Sequence, residues 1–413
     1  MTLDRTQNYD VVIVGGGVAG SSLAIALAGI GKSVLLAERE ARFRDRVRGD
    51  ALFPWGALEA HRIGIADIFP AADCRPLPVW QTYMDRHPEQ PYRWEADVPS
   101  GDVVWGVNHP ALQEALFCRA QQRGVDALRP AKATSVEHLA DGRLALRIET
   151  AGGDFSAAAR LVVGADGRDS GVRRWIGAQT IRDPLHHVIG GCLVTGIDLD
   201  PDVAHHAKFD GGMSLLFRHA SDRGRLYLVC SPERADTIRG PQAAAAFLAT
   251  CAGAFPAGTF AAARAVGPAA FFPGADIYAG RIVGNGIVLI GDAAGANDPS
   301  QGMGLSLAFR DVRELSELLA GNDWQAAIEE FARRRPGWYE PLRAHALWQG
   351  PLITDTGAEA DAARARAERA KERDPLLLGY RLINALGPDG LPVTEAARRH
   401  VLGEDLPAAT GAA

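Results

Sequence analysis

The sequence predicts an α/β fold: a parallel, doubly wound sheet, an antiparallel sheet interleaved with it, and a helical tail. Three observations predict it. A β-branched run, a glycine-rich turn and a small apolar stretch open the chain at residues 11–29. Two further apolar runs end in glycine–aspartate turns near residues 164–167 and 290–292. Between these units lie short alternating, aromatic-rich segments at 76–104 and 181–275, the pattern of half-buried strands.

The elements follow in chain order. Val11, Val12, Ile13 and Val14 form a run suited to a buried parallel strand. Gly15, Gly17 and Gly20 then fill the three glycine positions of GxGxxG. The first permits the tight turn, the second lets backbone approach a pyrophosphate, and the third lets helix and strand pack closely. Residues 21–29 read as a helix whose free N–H groups face the phosphates. Val34, Leu35, Leu36 and Ala37 form the second strand, ending at Glu38, an acceptor for ribose hydroxyls. This is a Rossmann-like βαβ unit. A packing turn alone leaves Glu38 unexplained. An acid here also opposes a 2′-phosphate, so FAD or NAD is expected over NADP at this unit.

Residues 161–164 read as a third strand, turning at Gly164, Ala165, Asp166 and Gly167 into a short helix carrying Arg173. Residues 286–290 read as a fourth, followed by Gly291, Asp292, Pro299, Gly302 and Gly304. A helix over 305–319 follows, with Leu305, Ala308, Val312, Leu315 and Leu319 on one face. Residues 358–373 read as an amphipathic tail helix that Pro375 stops, with a turn at Gly387, Pro388, Asp389 and Gly390.

Composition bounds the function. With 413 residues, 47% hydrophobic and 23% charged, the chain builds a core without staples. The net charge of −6 carries no basic excess for nucleic acid. Five widely spaced cysteines form no CxxC pair, so reduced thiols in a cytoplasmic protein are expected. No apolar run reaches the roughly 20 residues of a membrane span, and no secretory signal opens the chain.

GxGxxG with Glu38, the central GADG and the late GD with its Pro/Gly-rich helix start occur here in one order. In this the chain resembles the FAD-dependent monooxygenases of the para-hydroxybenzoate hydroxylase fold, the group A flavoprotein monooxygenases. The resemblance covers residues from about 8 to 350. It implies FAD as cofactor and NAD(P)H as co-substrate. It implies that Gly291 and Asp292 bind the cofactor, Asp292 at the ribityl chain, that the helix near Gly302 points at the flavin ring, and that Pro299, Gly302 and Gly304 form a side-chain-poor surface against it. It implies that Asp166 and Gly167 serve FAD and NAD(P)H, with Arg173 as the downstream arginine. Arg48 matches the arginine after the second strand, with Arg46 as the competing choice. His109 stands where relatives carry Arg or Gln. Gly295 also departs from the pattern, standing where common members carry His and geranylgeranyl-reductase relatives carry Gly.

The resemblance implies a discontinuous FAD-binding domain at 1–75, 105–180 and 276–350. A substrate-binding sheet would take 76–104 and 181–275, with a helical segment at 351–413. Trp80, Tyr83, Phe217, His219, Tyr227 and Phe272 are the candidate substrate residues, with Trp105, Asp50 and Trp55 as further guesses. The pairs His186–His187 and His205–His206 invite a metal reading. Neighbours in a strand point to opposite faces, so no metal is expected. The implied activity inserts one oxygen atom from O2 into an aromatic or polyketide-like substrate through a C4a-hydroperoxyflavin. A prenyl or polyprenyl reductase is the alternative. A halogenase is the weaker one, since WxWxIP is absent and no lysine occurs from Ser33 to Ala131. Partners would be a small organic substrate and O2, with no nucleic acid and a monomer or homodimer. Catalytic side chains are not assigned.

Overall fold

A computed structural model describes residues 6–47, 49–219, 222–373, 380–389 and 391–405. Five parallel strands form the centre of the first sheet. Thr6–Val14 lies in the middle, flanked on one side by Val34–Ala37 and then Asp126–Leu128. Phe155–Gly164 and then Ile287–Leu289 flank it on the other. Successive residues feed two cores: Val11, Ile13, Leu36 and Val163 on one face, Val12, Leu35 and Val162 on the other. Burial on both faces is why these strands read as continuous apolar runs. Ala131–His138 and Leu144–Thr150 extend the sheet by an antiparallel meander, and Val283–Gly284 brings it to eight strands. The meander is not anticipated by sequence: Leu144, Leu146 and Ile148 alternate with more exposed residues, but its first strand, Ala131–His138, is half-buried over its middle and carries no such pattern.

Register places the motifs. Val14 pairs with both Ala37 and Gly164, and Gly164 pairs with Leu289. All four strands therefore end at one level, and the turns that follow gather at the carboxyl edge, where ligands bind in open α/β sheets.

The second sheet has nine strands, including His187–Thr195, Gly212–Arg218 and Arg223–Cys230 in antiparallel array. Its strands come from residues 79–93 and 187–274. One pair departs from the expected antiparallel order: Val203–Phe209 runs parallel to Val79–Met84. These strands are far apart in sequence, so a long crossover joins them, as parallel pairing requires. One face holds Trp80, Leu215, Phe217 and Tyr227 within the main core. The other holds Tyr83, Leu216, Leu226 and Leu228 against Phe247 and Cys251 of the helix Ala243–Ala252.

Small three-stranded sheets stand where the chain passes between the two large ones. Ala51–Leu52, Val104–Gly106 and Arg75–Leu77 form one, and Thr180–Arg182, Ile277–Ala279 and Gly295–Ala296 the other. The tail contributes the helix Ala358–Arg373. Its proline stop at Pro375 and the last residue of the turn, Gly390, lie outside the described residues. No helix among the described residues is long and apolar enough to cross a membrane.

Candidate cofactor and substrate site

A cavity of about 410 Å³ opens at the carboxyl edge of the parallel sheet and runs beneath the second sheet. The first turn shapes one end. Gly15 has φ +106°, and a Cβ there would lie 2.4 Å from the Ala165 carbonyl oxygen. A Cβ on Gly20 would lie 1.9 Å from Gly15 O. Gly17 lines the cavity and caps the helix Val18–Gly29, which has no side-chain cap and no acidic residue in its first turn. Its first N–H groups are thus left for a ligand. Glu38 is buried and accepts from Gly16 N at 2.7 Å and Glu40 N at 2.7 Å. A carboxylate offers about four acceptor positions, so lone pairs remain for a diol.

The second and third turns meet beside it. Asp166 Oδ2 accepts from Gly171 N at 2.6 Å, while Oδ1 is buried with no partner. Asp166, Gly167 and Asp292 line the cavity. Arg173 does not. Its guanidinium is buried and donates to the carbonyls of Ala293 (2.6 Å), Asp292 (2.6 Å) and Arg168 (2.8 Å). It ties the two aspartate turns together, while its neighbour Arg174 faces the cavity. Gly291 does not line the cavity: at φ +55° its N–H donates to Asp311 Oδ2 at 2.9 Å, which fastens the turn. Asp311 is fully buried and also accepts from Arg335 and Trp338.

Pro299, Gly302 and Gly304 line the cavity ahead of the helix Gly304–Leu319, which again lacks a side-chain cap. Gly302 has φ +69°, and a Cβ on Gly304 would meet nothing within 4 Å. An uncapped helix start, a side-chain-free wall and an orphaned aspartate oxygen are what a dinucleotide with a flat ring would engage. The residues present therefore fit FAD. His109 lines the cavity and its Nδ1 lies 3.1 Å from Gly49 O. Arg48 lies outside the described residues. Arg46 lines the cavity and pairs with Glu40 at 3.3 Å.

On the sheet side, Phe217, Tyr227 and Phe272 line the cavity with Ile189 and Leu215. Tyr227 Oη donates to Asp50 Oδ2 at 2.6 Å, and both are buried. Burial, reinforced by the Asp50 charge, holds the Tyr227 hydroxyl well above the usual phenol range. Arg225 Nε lies 3.4 Å from Asp50, and its NH2 donates to Asp45 at 2.6 Å. Burial opposes the Arg225 charge, yet the Asp50 charge and the Asp45 hydrogen bond outweigh it.

Three candidates are not brought to the cavity. Trp80 is packed among Phe53, Trp94 and Phe217. Tyr83 stands three residues further on, hence on the opposite face, where its hydroxyl meets His205 Nδ1 at 3.1 Å. His219 is buried just past its strand, where burial lowers its pKa. Trp55 and Trp105 likewise do not line the cavity, whereas Asp50 does. Sequence reading missed Arg225 and Asp45. Alternation from Tyr227 puts Arg225 on the same face, a signal that was present. Asn297 and Ser300 were also missed, having no periodicity to mark them. Among the described residues no group of three His, Cys, Asp or Glu is gathered for a metal.

A dinucleotide cradle at a parallel sheet's edge, roofed by an antiparallel sheet, defines a flavoprotein oxidoreductase. The family model for an FAD binding domain matches residues 8–327. Ubiquinone hydroxylase UbiL of Rhodospirillum rubrum is 30% identical over 364 residues, 81% of this chain and 77% of that protein. The chain belongs to the FAD-dependent monooxygenase family of the para-hydroxybenzoate hydroxylase fold. Squalene monooxygenase SE1 of Panax ginseng is 27% identical over 320 residues, 75% of this chain and 58% of that protein. Digeranylgeranylglycerophospholipid reductase of Methanosarcina acetivorans is 27% identical over 195 residues, 47% of this chain and 46% of that protein. The chain thus spans about half the length of these two relatives. Among solved structures, Pseudomonas aeruginosa PqsL bound to 2-aminobenzoylacetate superposes with TM-score 0.72 at 20% identity, covering 84% of this chain and 97% of that one. Anhydrotetracycline hydroxylase OxyS of Streptomyces rimosus gives 0.72 at 20%, covering 92% and 76%. The flavin-dependent brominase Bmp2 gives 0.74 at 19%, covering 96% and 99%. At these identities the structures share the fold.

Proposed function

We propose that the protein is an NAD(P)H-dependent FAD monooxygenase that hydroxylates an aromatic or polyketide-like substrate bearing an ionisable hydroxyl. The observation that carries this reading is the Tyr227–Asp50 pair, a buried polar handle in a wall otherwise formed by Ile189, Leu215, Phe217 and Phe272. A hydrocarbon substrate offers no donor to the Tyr227 oxygen, whose remaining acceptor position would stay unused in an apolar site. In this reading residues 1–75, 105–180 and 276–350 hold the cofactor, and 76–104 and 181–275 cover the substrate. The five free cysteines accord with a reducing cytoplasm.

Bound FAD supplies the redox chemistry and the activation of O2. The chain's own residues bind and prepare the substrate. Because Tyr227 donates to Asp50, its oxygen is left to accept a hydrogen bond from a substrate O–H. When that proton moves to Tyr227 and Tyr227's own moves to Asp50, two O–H bonds break, at the substrate and at Tyr227, and two form, at Tyr227 and at Asp50. The substrate becomes an oxyanion, more electron-rich toward an electrophilic oxygen, and Asp50 becomes the acid. Arg225 compensates the buried carboxylate but relays nothing, since a guanidinium does not deprotonate in proteins. The aromatic wall excludes water.

The reductase alternative draws on Gly295, on the apolar sheet and on the likeness to digeranylgeranylglycerophospholipid reductase. A Cβ on Gly295 would lie 2.9–3.1 Å from the Tyr339 ring, so packing against Tyr339 already requires the glycine. The test is NADH or NADPH oxidation and O2 uptake by the FAD-loaded protein across a panel of hydroxylated aromatics and polyketides, with a prenyl lipid as contrast. Substrate-stimulated O2 uptake with a hydroxylated product is expected. Turnover of the prenyl lipid without O2, or no stimulation by any hydroxylated compound, overturns the reading.

A further inference from the structure

Behind the wall formed by Pro299, Gly302 and Gly304 lies a cluster of buried polar groups that the reaction above does not use. His187 opens the strand His187–Thr195 and is 2% exposed. Its Nε2 lies 3.1 Å from Asp298 Oδ2 and 3.1 Å from Ser300 Oγ. Asp298 Oδ1 accepts from Ser300 N at 2.9 Å, and Asp298 N donates to Asp276 Oδ1 at 2.7 Å. Asp276 also accepts from both Asn297 Nδ2 (3.1 Å) and Tyr339 Oη (2.7 Å). Every link fastens segment 297–301, whose members Asn297, Pro299 and Ser300 face the cavity.

The imidazole has a slot of its own. A Cβ on Gly274 would lie 2.3 Å from the His187 ring, and one on Gly350 would lie 3.5 Å from His187 Nδ1. Gly274 thus vacates the space the ring fills, and Gly350 lets the helix Pro336–Thr354 close against it. Placing an imidazole and two carboxylates out of water is costly unless their geometry is used. An apolar residue would fill the slot if packing were the whole purpose. What the cluster achieves is a single conformation for a loop that contains a proline and two glycines and has Met303 as its one apolar anchor in the core.

We infer that His187 and Asp298 are positioning residues for the flavin: they fix segment 297–304 against the ring and thereby set flavin affinity and reduction potential. This rests on the FAD reading above. The test uses full-length protein stripped of cofactor and titrated with FAD by fluorescence, followed by spectroelectrochemical measurement of the bound flavin. His187→Phe is expected to weaken FAD binding at least tenfold and to shift the flavin band and midpoint potential. His187→Gln, whose amide can still donate to Asp298, is expected to restore most of the affinity. Ser300→Ala, which removes one acceptor and little volume, is expected to give a smaller shift in the same direction and serves if His187→Phe fails to fold. Wild-type affinity and potential in His187→Phe, or in Ser300→Ala where His187→Phe fails to fold, would overturn the positioning role alone. A wild-type protein that takes up no FAD would instead overturn the reading beneath it.

Discussion

Gly20 separates a helix from the strand turn before it by less than a side chain's width. Gly20→Ala drives a methyl group to 1.9 Å from Gly15 O, so backbone must shift. We expect protein without yellow colour, checked as the 450/280 nm absorbance ratio. Tyr227→Phe is subtler. It keeps the ring and removes the hydroxyl, so flavin content should be unchanged while turnover falls about 100-fold, the range of a lost proton-transfer partner. The deficit should shrink as pH rises and the substrate ionises unaided. A deficit that does not change with pH rejects the relay.

Asp276 gives a pH signature. Burial pushes its carboxyl up to about 6 against the opposing hydrogen bonds from Tyr339, Asp298 and Asn297, with the Asp298 charge adding to the rise. Tyr339, Tyr278 and Asp183 are further titratable groups around it, with Arg335 and Arg343 beyond. The native state therefore favours protonated Asp276. Its contribution is full below the unfolded value near 4 and is lost as pH rises through about 6, a change of roughly 3 kcal/mol. Asp276→Asn should flatten the rise in urea stability expected on going from pH 7.5 to pH 4.5. An unchanged slope counts against this assignment. At this scale the sequence was uneven. Glycines and Glu38 were legible because a motif fixes their offsets. Asp298 and His187 were not, because their partners lie more than a hundred residues apart.

Single elements decide which face a residue shows. Trp80 and Tyr83 could not both meet one cavity, since a three-residue offset in a strand reverses the face. The strands were legible as apolar runs, but their register was not, and register selects the face. Trp80→Ala should therefore act as a core truncation, costing about 3–5 kcal/mol while native molecules keep their flavin. Chemical denaturation and flavin content separate the two effects. The arginines at the second turn offer a sharper contrast. Arg173 braces three carbonyls from within, and Arg174 faces the cavity. Arg173→Met should lower stability by about 3 kcal/mol and weaken FAD with it. Arg174→Met should alter ligand affinity with little change in melting temperature. Equal melting temperatures for the two variants would sink this division of roles.

The molecule as a whole joins segments that are remote in sequence. The three motifs announced this through their order, so the parallel sheet and the roof over it were legible. The meander at 131–150 and the parallel pairing of Val203–Phe209 with Val79–Met84 were not, since no local pattern encodes a partner strand. A chain ending at residue 280 would lack the strand Ile287–Leu289, Asp292 and the helix Gly304–Leu319. It should bind no FAD and aggregate, as gel filtration would show.

The same strand order has a meaning in time. Gly164 waits for Leu289 as its neighbour, and about 140 residues separate Gly164 from Gly304. At about 5–20 residues per second, that is roughly ten to thirty seconds of translation. Throughout this interval the nascent chain carries an unfinished sheet edge and half a cradle. The ribosome must release most of the polypeptide before any cofactor has a place to lodge, so loading waits until Gly304 has emerged.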